Sequence, residues 1–435
     1  MSARFVNIDR ETPMLLPVDL RDWVRGDDLA HFVLEAVEGL ETGGAVINHR
    51  GSGSEQYPPG MMMALLLYCY ASGIFSSRRI EGATHWHMSV RFVAGNTHPD
   101  HDTIASFRRL NRELVGKSFV RVLELAREMG LLRMGTIAID GTKMWASAAK
   151  RRTMSREQLE EELVLMEREV EERLGKAEEA DARPGEDGNS LPQELADRAK
   201  RRARLEAARM ALEQRGQERK RQYDEDRAQA LAEGCEKPSR PSPPNQSSNT
   251  TDPQSVLQPT AREGFIQGYN AQVAVSAQGG LIVAAHVVTD TGDRRQLGPT
   301  VAAIPACLGL PQAIVADTGY DSASQILRVE RITGARVYCA AQKVTRSSAR
   351  SRRKSRRRQM PSQLRQRMTE RLKSEEGRRI YALRNTTVEP AFGIIKSVLG
   401  FRHFRLRGLE KVNLEWQLLS TAFNCKRLAL RRPRS

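Results

Sequence analysis

Several things are scarce in this sequence, and each scarcity removes a class of protein. Its 435 residues include five cysteines, Cys69, Cys235, Cys307, Cys339 and Cys425. They are scattered, odd in number and never in C-x-x-C spacing, so neither a disulfide framework nor a zinc knuckle is indicated, and a reducing cytosol suits them. The longest apolar run, around Met61–Tyr70, falls far short of the roughly 18 residues a membrane span needs. Met1-Ser-Ala-Arg-Phe5 lacks the basic-then-apolar pattern of a secretion signal. A soluble, cytoplasmic chain with no membrane partner is expected. Neither G-x-x-x-x-G-K-[ST] nor G-x-G-x-x-G occurs, so neither ATP nor a dinucleotide is expected. His85, His87, His98 and His101 lie close in sequence, but no cysteine or acid completes zinc spacing around them, which favours structural roles.

Positive charge, by contrast, is abundant. There are 69 Lys and Arg against 53 Asp and Glu, a formal net charge of +16. Such an excess favours a polyanionic partner, nucleic acid first, over a small neutral substrate. It is also uneven. The stretch Ala341–Ile380 is strongly basic and is densest at Ser351-Arg-Arg-Lys-Ser-Arg-Arg-Arg358. Like charges repel, so this segment calls for phosphates as counter-charge.

Periodicity divides the chain. After Asp27, residues Leu29, Phe32, Val33, Ala36, Val37 and Leu40 fall on one face of a helix with an aspartate at its start. Met61–Ser72, Ser77–Met88, Asp102–Leu114 and Lys117–Met129 carry the same spacing, separated by the turn-formers Pro58-Pro59-Gly60, Gly73 and Asn96–Asp100. Residues 1–130 are therefore expected to form an all-α, DNA-binding domain. Arg108, Arg109 and Arg112, on the basic side of the Asp102 helix, are candidates to lie against phosphates.

At Thr136-Ile-Ala-Ile-Asp140 the pattern changes to a short β-branched run ending in an acid. Tyr269–Ser276 and Leu281–Val288 follow as a hairpin around Ala277–Gly280, then strands at Ala313–Asp317 and Ala335–Ala340, with helices over Arg294–Leu308 and Asp321–Val329. Asp321 suits a helix cap. Between the first strand and the hairpin sits a charged helical insertion. Ser155-x-x-Gln158 is a capping-box pattern, and Leu159, Leu163, Met166, Val170 and Leu174 follow at coiled-coil spacing. A second helix carries Leu195, Leu205, Ala208 and Leu212, and the acidic loop around Pro184 and Gly188 makes an antiparallel hairpin. Pro238–Pro259 is rich in Pro, Ser, Asn and Gln, the composition of a flexible linker.

Asp140 and Asp317 each close a short hydrophobic strand. If the strands are parallel neighbours, both carboxylates emerge at one edge of the sheet, where open α/β folds place their sites. Paired aspartates there suit Mg²⁺, which takes oxygen ligands from one or two carboxylates plus substrate phosphates. Strand-end aspartates are common in turns, so this pair acquires weight only with a third acid.

That third acid lies in Tyr381-x-x-Arg384-x4-Glu389-Pro-x-Phe392-Gly393-x-x-Lys396. The string resembles the carboxy-terminal Tyr, Arg, Glu, Lys signature of bacterial insertion-sequence transposases with an RNase H-like core, the DDE family. Ile139–Lys143 and Ala316–Tyr320 resemble that family's two aspartate motifs; Gly268–Gln272 and His98–Phe107 resemble further blocks in the same order. The resemblance implies a polynucleotidyl transferase in which Asp140, Asp317 and Glu389 are catalytic and bind metal, two Mg²⁺ ions with Mn²⁺ as a substitute. It further implies that Tyr381, Arg384 and Lys396 contact DNA, that element terminal repeats and target DNA are the partners, and that a homodimer forms on DNA. A hydrolysis-only nuclease or an inactive DNA-binding descendant are the alternatives. Two departures stand out. Four residues separate Arg384 from Glu389 where three are commoner, and Pro390 requires the catalytic helix to start or kink there.

The fold expected is α+β and multidomain: an all-α domain (1–130), then an RNase H-like mixed α/β core (131–152 and 263–345) interrupted by a helical-hairpin insertion (153–235). A flexible linker (236–262), a basic linker (346–376) and a helical carboxy-terminal part carrying Glu389 (377–435) complete it.

Overall fold

A computed structural model describes residues 19–46, 56–181, 191–232, 247–260, 263–340 and 362–431. The expected acidic loop around Pro184, the first part of the Pro-rich stretch and the basic cluster at 351–358 lie outside the described residues.

Among the described residues, six helices come first: α1 (Leu29–Glu38), α2 (Pro59–Ala71), α3 (Ser77–Trp86), α4 (Met88–Val93), α5 (His101–Leu110) and α6 (Arg112–Glu128). The capping aspartate of α1 is Asp28, one residue beyond the expected one; its carboxylate accepts from Ala30 N at 2.8 Å. A break at Asn111 replaces the expected continuation to Leu114, because its side-chain amide bonds both Val46 N (2.7 Å) and Phe107 O (3.0 Å). Arg108 does not lie on a phosphate-facing surface. It is buried, donating to Tyr70 Oη (2.8 Å) and Phe75 O (3.0 Å).

Eight described strands follow: β1 (Thr136–Trp145), β2 (Thr153–Ser155), β3 (Ser247–Asn249), β4 (Val256–Thr260), β5 (Gly264–Ser276), β6 (Ile282–Val288), β7 (Ala313–Ala316) and β8 (Arg336–Cys339). The main sheet runs β6-β5-β1-β7-β8, with β4 paired to the start of β5. β1, β7 and β8 are parallel, while β5 is antiparallel to both β1 and β6. Ile137, Ala138 and Ile139 are fully buried, as a central strand demands.

β1 continues five residues past Asp140, so that aspartate is mid-strand, not terminal. The periodicity ends at Asp140 because Gly141-Thr142-Lys143 is polar, yet β5 still pairs with all of it out to Trp145. Cross-strand hydrogen bonding carries the strand through a stretch with no apolar signal.

The insertion forms two helices, α7 (Arg156–Asp181) and α8 (Leu191–Ala232). Leu159, Leu163 and Met166 pack against Leu205, Ala208 and Leu212 in a small core of their own. The capping box forms reciprocally: Ser155 N donates to Gln158 Oε1 (2.9 Å) and Gln158 N to Ser155 Oγ (3.2 Å). β2 and β3 close the root as a two-stranded ribbon.

Two expected linkers prove structured where they are described. Residues 247–260 carry β3 and β4, with Ser248, Asn249, Asp252, Ser255 and Gln258 buried. Their polarity, which argued for a linker, instead satisfies neighbours: Asp252 accepts from Tyr269 Oη (2.8 Å), and Ser255 Oγ from Gln267 Nε2 (2.7 Å). Between β6 and β8 run two helices, α9 (Leu297–Ala302) and α10 (Ala323–Thr333), the first shorter and the second later than expected. Ser322, not Asp321, precedes α10 as its cap residue. In the basic stretch, α11 (Ser362–Lys373) is helical and Ser374 caps the first turn of α12 (Glu375–Gly393). There Leu364 and Met368 are buried, and Arg371 bonds Glu330 and Val337 O.

A last helix, α13 (Leu409–Ala429), runs along β6. Asn413 bonds both backbone groups of Val287 and Asn424 both of Ile282, sealing the outer edge of that strand. One continuous hydrophobic core joins α1–α6, α13 and the sheet.

Candidate active site

The parallel register of β1 and β7 ends at Ile139 opposite Ala316. Asp140 and Asp317 are the next residues on each, so the chain sets their carboxylates side by side at the carboxyl end of the paired strands. Asp140 Oδ1 accepts from Gly141 N (2.8 Å). Asp317 caps the short turn Thr318–Tyr320, accepting from Gly319 N (2.7 Å), and its carbonyl takes the Cys339 thiol (3.0 Å) from β8. Both carboxyls are raised above the ordinary carboxylate range. Burial pushes Asp140 up to about 7, helped by the Asp317 charge beside it; burial also raises Asp317.

The carboxy-terminal signature arrives on α12. Arg384 points its guanidinium at Asp140 Oδ2 (3.6 Å) and, by its other terminal nitrogen, at Glu389 Oε1 (3.7 Å). This one cation therefore links two of the three expected carboxylates, and the longer Arg–Glu spacing does not separate them. Glu389 is more than half exposed, at 59% of its side chain. The helix neither starts nor breaks at Pro390. It runs through to Gly393 and widens into a π-helical turn at Ile394–Val398, the kind of insertion that recurs at functional sites. Lys396 lies in that turn and donates to Thr142 Oγ1, two residues past Asp140 on the same face of β1. Glu389 is thus partnered by Arg384, not by Lys396. Tyr381 sits one turn before Arg384, packed near Ala313, Val315 and Tyr338, and burial raises its phenol.

The opposite face of β1 holds a group that sequence reasoning missed. Gly141 and Lys143 point there, paired with Gln272 and Asn270 of β5. Asp293 Oδ1 accepts from Asn270 Nδ2 and Gln272 Nε2, both at 2.7 Å, and lies 3.7 Å from Lys143 Nζ. Tyr320 donates to Gln272 Oε1, and the Gln272 carbonyl accepts from Trp416 Nε1 (3.0 Å). Gly141 leaves the space: a Cβ there would stand 2.2 Å from Gln272 Nε2 and 2.6 Å from Asp293 Oδ1. A signal existed in the sequence, because Asp290-Thr-Gly292 after β6 repeats the Asp317-Thr-Gly319 string.

The donor set around Asp140 and Asp317 is all oxygen, and the mutual repulsion of two half-buried carboxylates is what a divalent cation relieves, so these residues fit a hard metal ion. Among the described residues, no three metal-ligating side chains converge on one point as the chain stands. Three histidines of the helical region are otherwise engaged: His101 Nδ1 pairs with Glu81 (2.8 Å), and His98 with Thr84 (3.1 Å) while stacking on His85.

A mixed sheet with two aspartates side by side where the β1–β7 pairing ends, covered by a helix bearing Arg and Glu, defines an α/β protein with an acidic site on its sheet. Residues 246–425 match the family described as the transposase DDE domain, and residues 18–110 match the transposase domain DUF772. The chain therefore carries a transposase DDE domain together with an amino-terminal transposase domain. Asp317 and Glu389 fall inside the first match; Asp140 falls between the two. No curated protein and no solved structure gives a significant match. No helix among the described residues is long and apolar enough to cross a membrane.

Proposed function

We propose that this transposase binds the terminal repeats of an insertion sequence, hydrolyses a phosphodiester at each end and joins the freed 3′-hydroxyl to target DNA. The observation that carries this reading is the β1–β7 register, which sets Asp140 beside Asp317, together with Arg384 reaching from Asp140 to Glu389. The strand order, with three parallel strands flanked by an antiparallel pair, supports an RNase H-like core.

Asp140, Asp317 and Glu389 would hold Mg²⁺, or Mn²⁺ in its place, as two ions. Bound there, such ions supply Lewis-acid activation of an attacking oxygen and charge stabilisation at the leaving one. The chain's own residues position the DNA. Arg384 presents a planar guanidinium beside the carboxylates, suited to a bidentate grip on the scissile phosphate once the metal takes over their charge. Lys396, fixed by Thr142, supplies a second cation one step along the strand. Tyr381, one turn before Arg384 on α12, would contact the DNA beside it. Asn270 and Gln272 fix Asp293, and Asp293 in turn holds Lys143 at its position three residues past Asp140 on β1. Cutting two ends in concert calls for two copies of the site, hence a dimer on DNA.

The test is cleavage of a DNA carrying the element's own ends, with wild type, Asp140→Asn and Glu389→Gln. Cleavage should need Mg²⁺ or Mn²⁺, and both substitutions should abolish it while binding persists. Variants that cut like wild type would refute the site. Cleavage without joined products would indicate a nuclease, and binding without cleavage by wild type an inactive descendant.

A further inference from the structure

The helical insertion, residues 153–235, lies between the two matched segments and has no role in the proposed function. Along its arm three arginines of α8 are paired. Arg198 bonds Glu169 (2.6 Å), Arg202 reaches Glu167 and Glu206, and Arg209 lies near Glu213. At its root this pattern stops. Five residues after β1 the chain makes a short turn, Lys150–Arg152, all exposed. Arg151 and Arg152 face Arg201 and Arg204 of α8 across an open recess of about 420 Å³. Glu162 is the one acid lining it, and Glu162 is engaged with Arg201 (2.6 Å). Among the described residues, neither Arg151 nor Arg204 has an ion-pair partner.

Four guanidiniums gathered from two separate elements, with one carboxylate between them, repel one another unless an anion enters. Forked guanidinium donors match the geometry of phosphate oxygens. The root is also tied to the active site. Arg407 is exposed and donates to Ser147 O (2.9 Å), between Trp145 and the turn. Arg402, exposed as well, donates to Lys396 O (3.3 Å), and its carbonyl takes Trp145 N. Trp145 itself keeps 39% of its surface exposed among these cations, about 16 Å along β1 from Asp140 at roughly 3.3 Å per residue. Basic side chains with an exposed aromatic form the footprint of a nucleic-acid track.

We propose that the recess of Arg151, Arg152, Arg201 and Arg204 binds backbone phosphate of the DNA duplex flanking the cleaved bond, at the far end of a track that starts at Lys396. The insertion is thus a DNA clamp and not a spacer. This inference rests on the transposase reading for the identity of the polyanion, while its test uses binding alone.

The experiment measures fluorescence anisotropy of a duplex of about 40 base pairs against the full chain over a range of KCl, because the slope of log affinity against log salt reports how many phosphates the protein neutralises. The triple variant Arg151→Gln, Arg152→Gln, Arg204→Gln is compared with a charge-matched arm variant, Arg198→Gln, Arg202→Gln, Arg209→Gln. The root variant should bind at least about tenfold more weakly at low salt, with the slope reduced by about 0.9 for every phosphate it no longer neutralises. The arm variant should keep the wild-type slope. Equal behaviour of root variant and wild type, or equal weakening in both variants, would overturn the proposal. Asp140→Asn, run alongside in the cleavage assay, reports separately on the catalytic reading: if it cuts normally, that reading fails while the binding result stands.

Discussion

Asp140 is charged at a cost. Its carboxyl sits at about 7 in the folded chain against an ordinary value of 3.8, so the folded state holds its proton through a range where the unfolded state has released it. Stability conferred by this site is therefore highest at low pH and falls as pH rises from about 4 to about 7, a decrease on the order of a few kcal/mol. Asp140→Asn should raise the thermal midpoint at pH 8 and leave it little changed near pH 4, as followed by circular dichroism at both values. Mg²⁺ should raise the wild-type midpoint at pH 8 more than that of the variant. At the neighbouring position, Gly141→Ala should impair cleavage by an order of magnitude or more and destabilise by about 1–3 kcal/mol, because its methyl group displaces the Gln272–Asp293 bond. Asp293→Asn, of equal size, should retain the fold while lowering cleavage; normal cleavage would remove Asp293 from the site.

At the scale of elements, α12 and α13 divide the work. α12 carries Arg384 and Glu389 over the site and widens after Gly393, which turns Lys396 toward Thr142. Motif spacing located these residues but not their pairing, because a string of letters does not tell which neighbour an arginine reaches in space. α13 instead completes the sheet. Asn424 gives its amide to Ile282 O (2.8 Å) and its oxygen to Ile282 N (2.8 Å), both buried. Asn424→Leu should cost about 1–3 kcal/mol in urea unfolding, because it strands a backbone donor and acceptor with no water to replace them. Nothing in the periodicity around Asn413 or Asn424 marks them. Their role exists only once a strand edge lies alongside.

Across the whole molecule, the helical region and the sheet share one core, and a buried polar link joins them. Arg108 of α5 donates to Tyr70 of α2, whose hydroxyl lies 3.4 Å from Glu415 of α13. Glu415 also accepts from Arg405 N (2.8 Å) and Leu406 N (3.1 Å), and burial raises its carboxyl. Arg108→Leu leaves that acid without its cation and should cost about 3–5 kcal/mol. Calorimetry should show the helical region and the sheet melting together in wild type, given the shared core. Two separate transitions would contradict the continuity.

The sequence by itself determined the helical amino-terminal region, the hairpin insertion with its Ser155–Gln158 box and the β5–β6 hairpin, and it singled out Asp140, Asp317 and Glu389 as the candidate acids. Each depends on local period, capping chemistry or a spaced motif, all of which survive in one dimension. Only the tertiary structure decided that Asp140 lies mid-strand, that 247–260 packs against β5, and that Asp293 stands behind Gly141. It likewise decided that Arg108 is buried while Arg151 and Arg204 are left facing each other. These depend on which polar groups meet across the chain, and a polar residue reads the same in sequence whether water or a distant partner satisfies it.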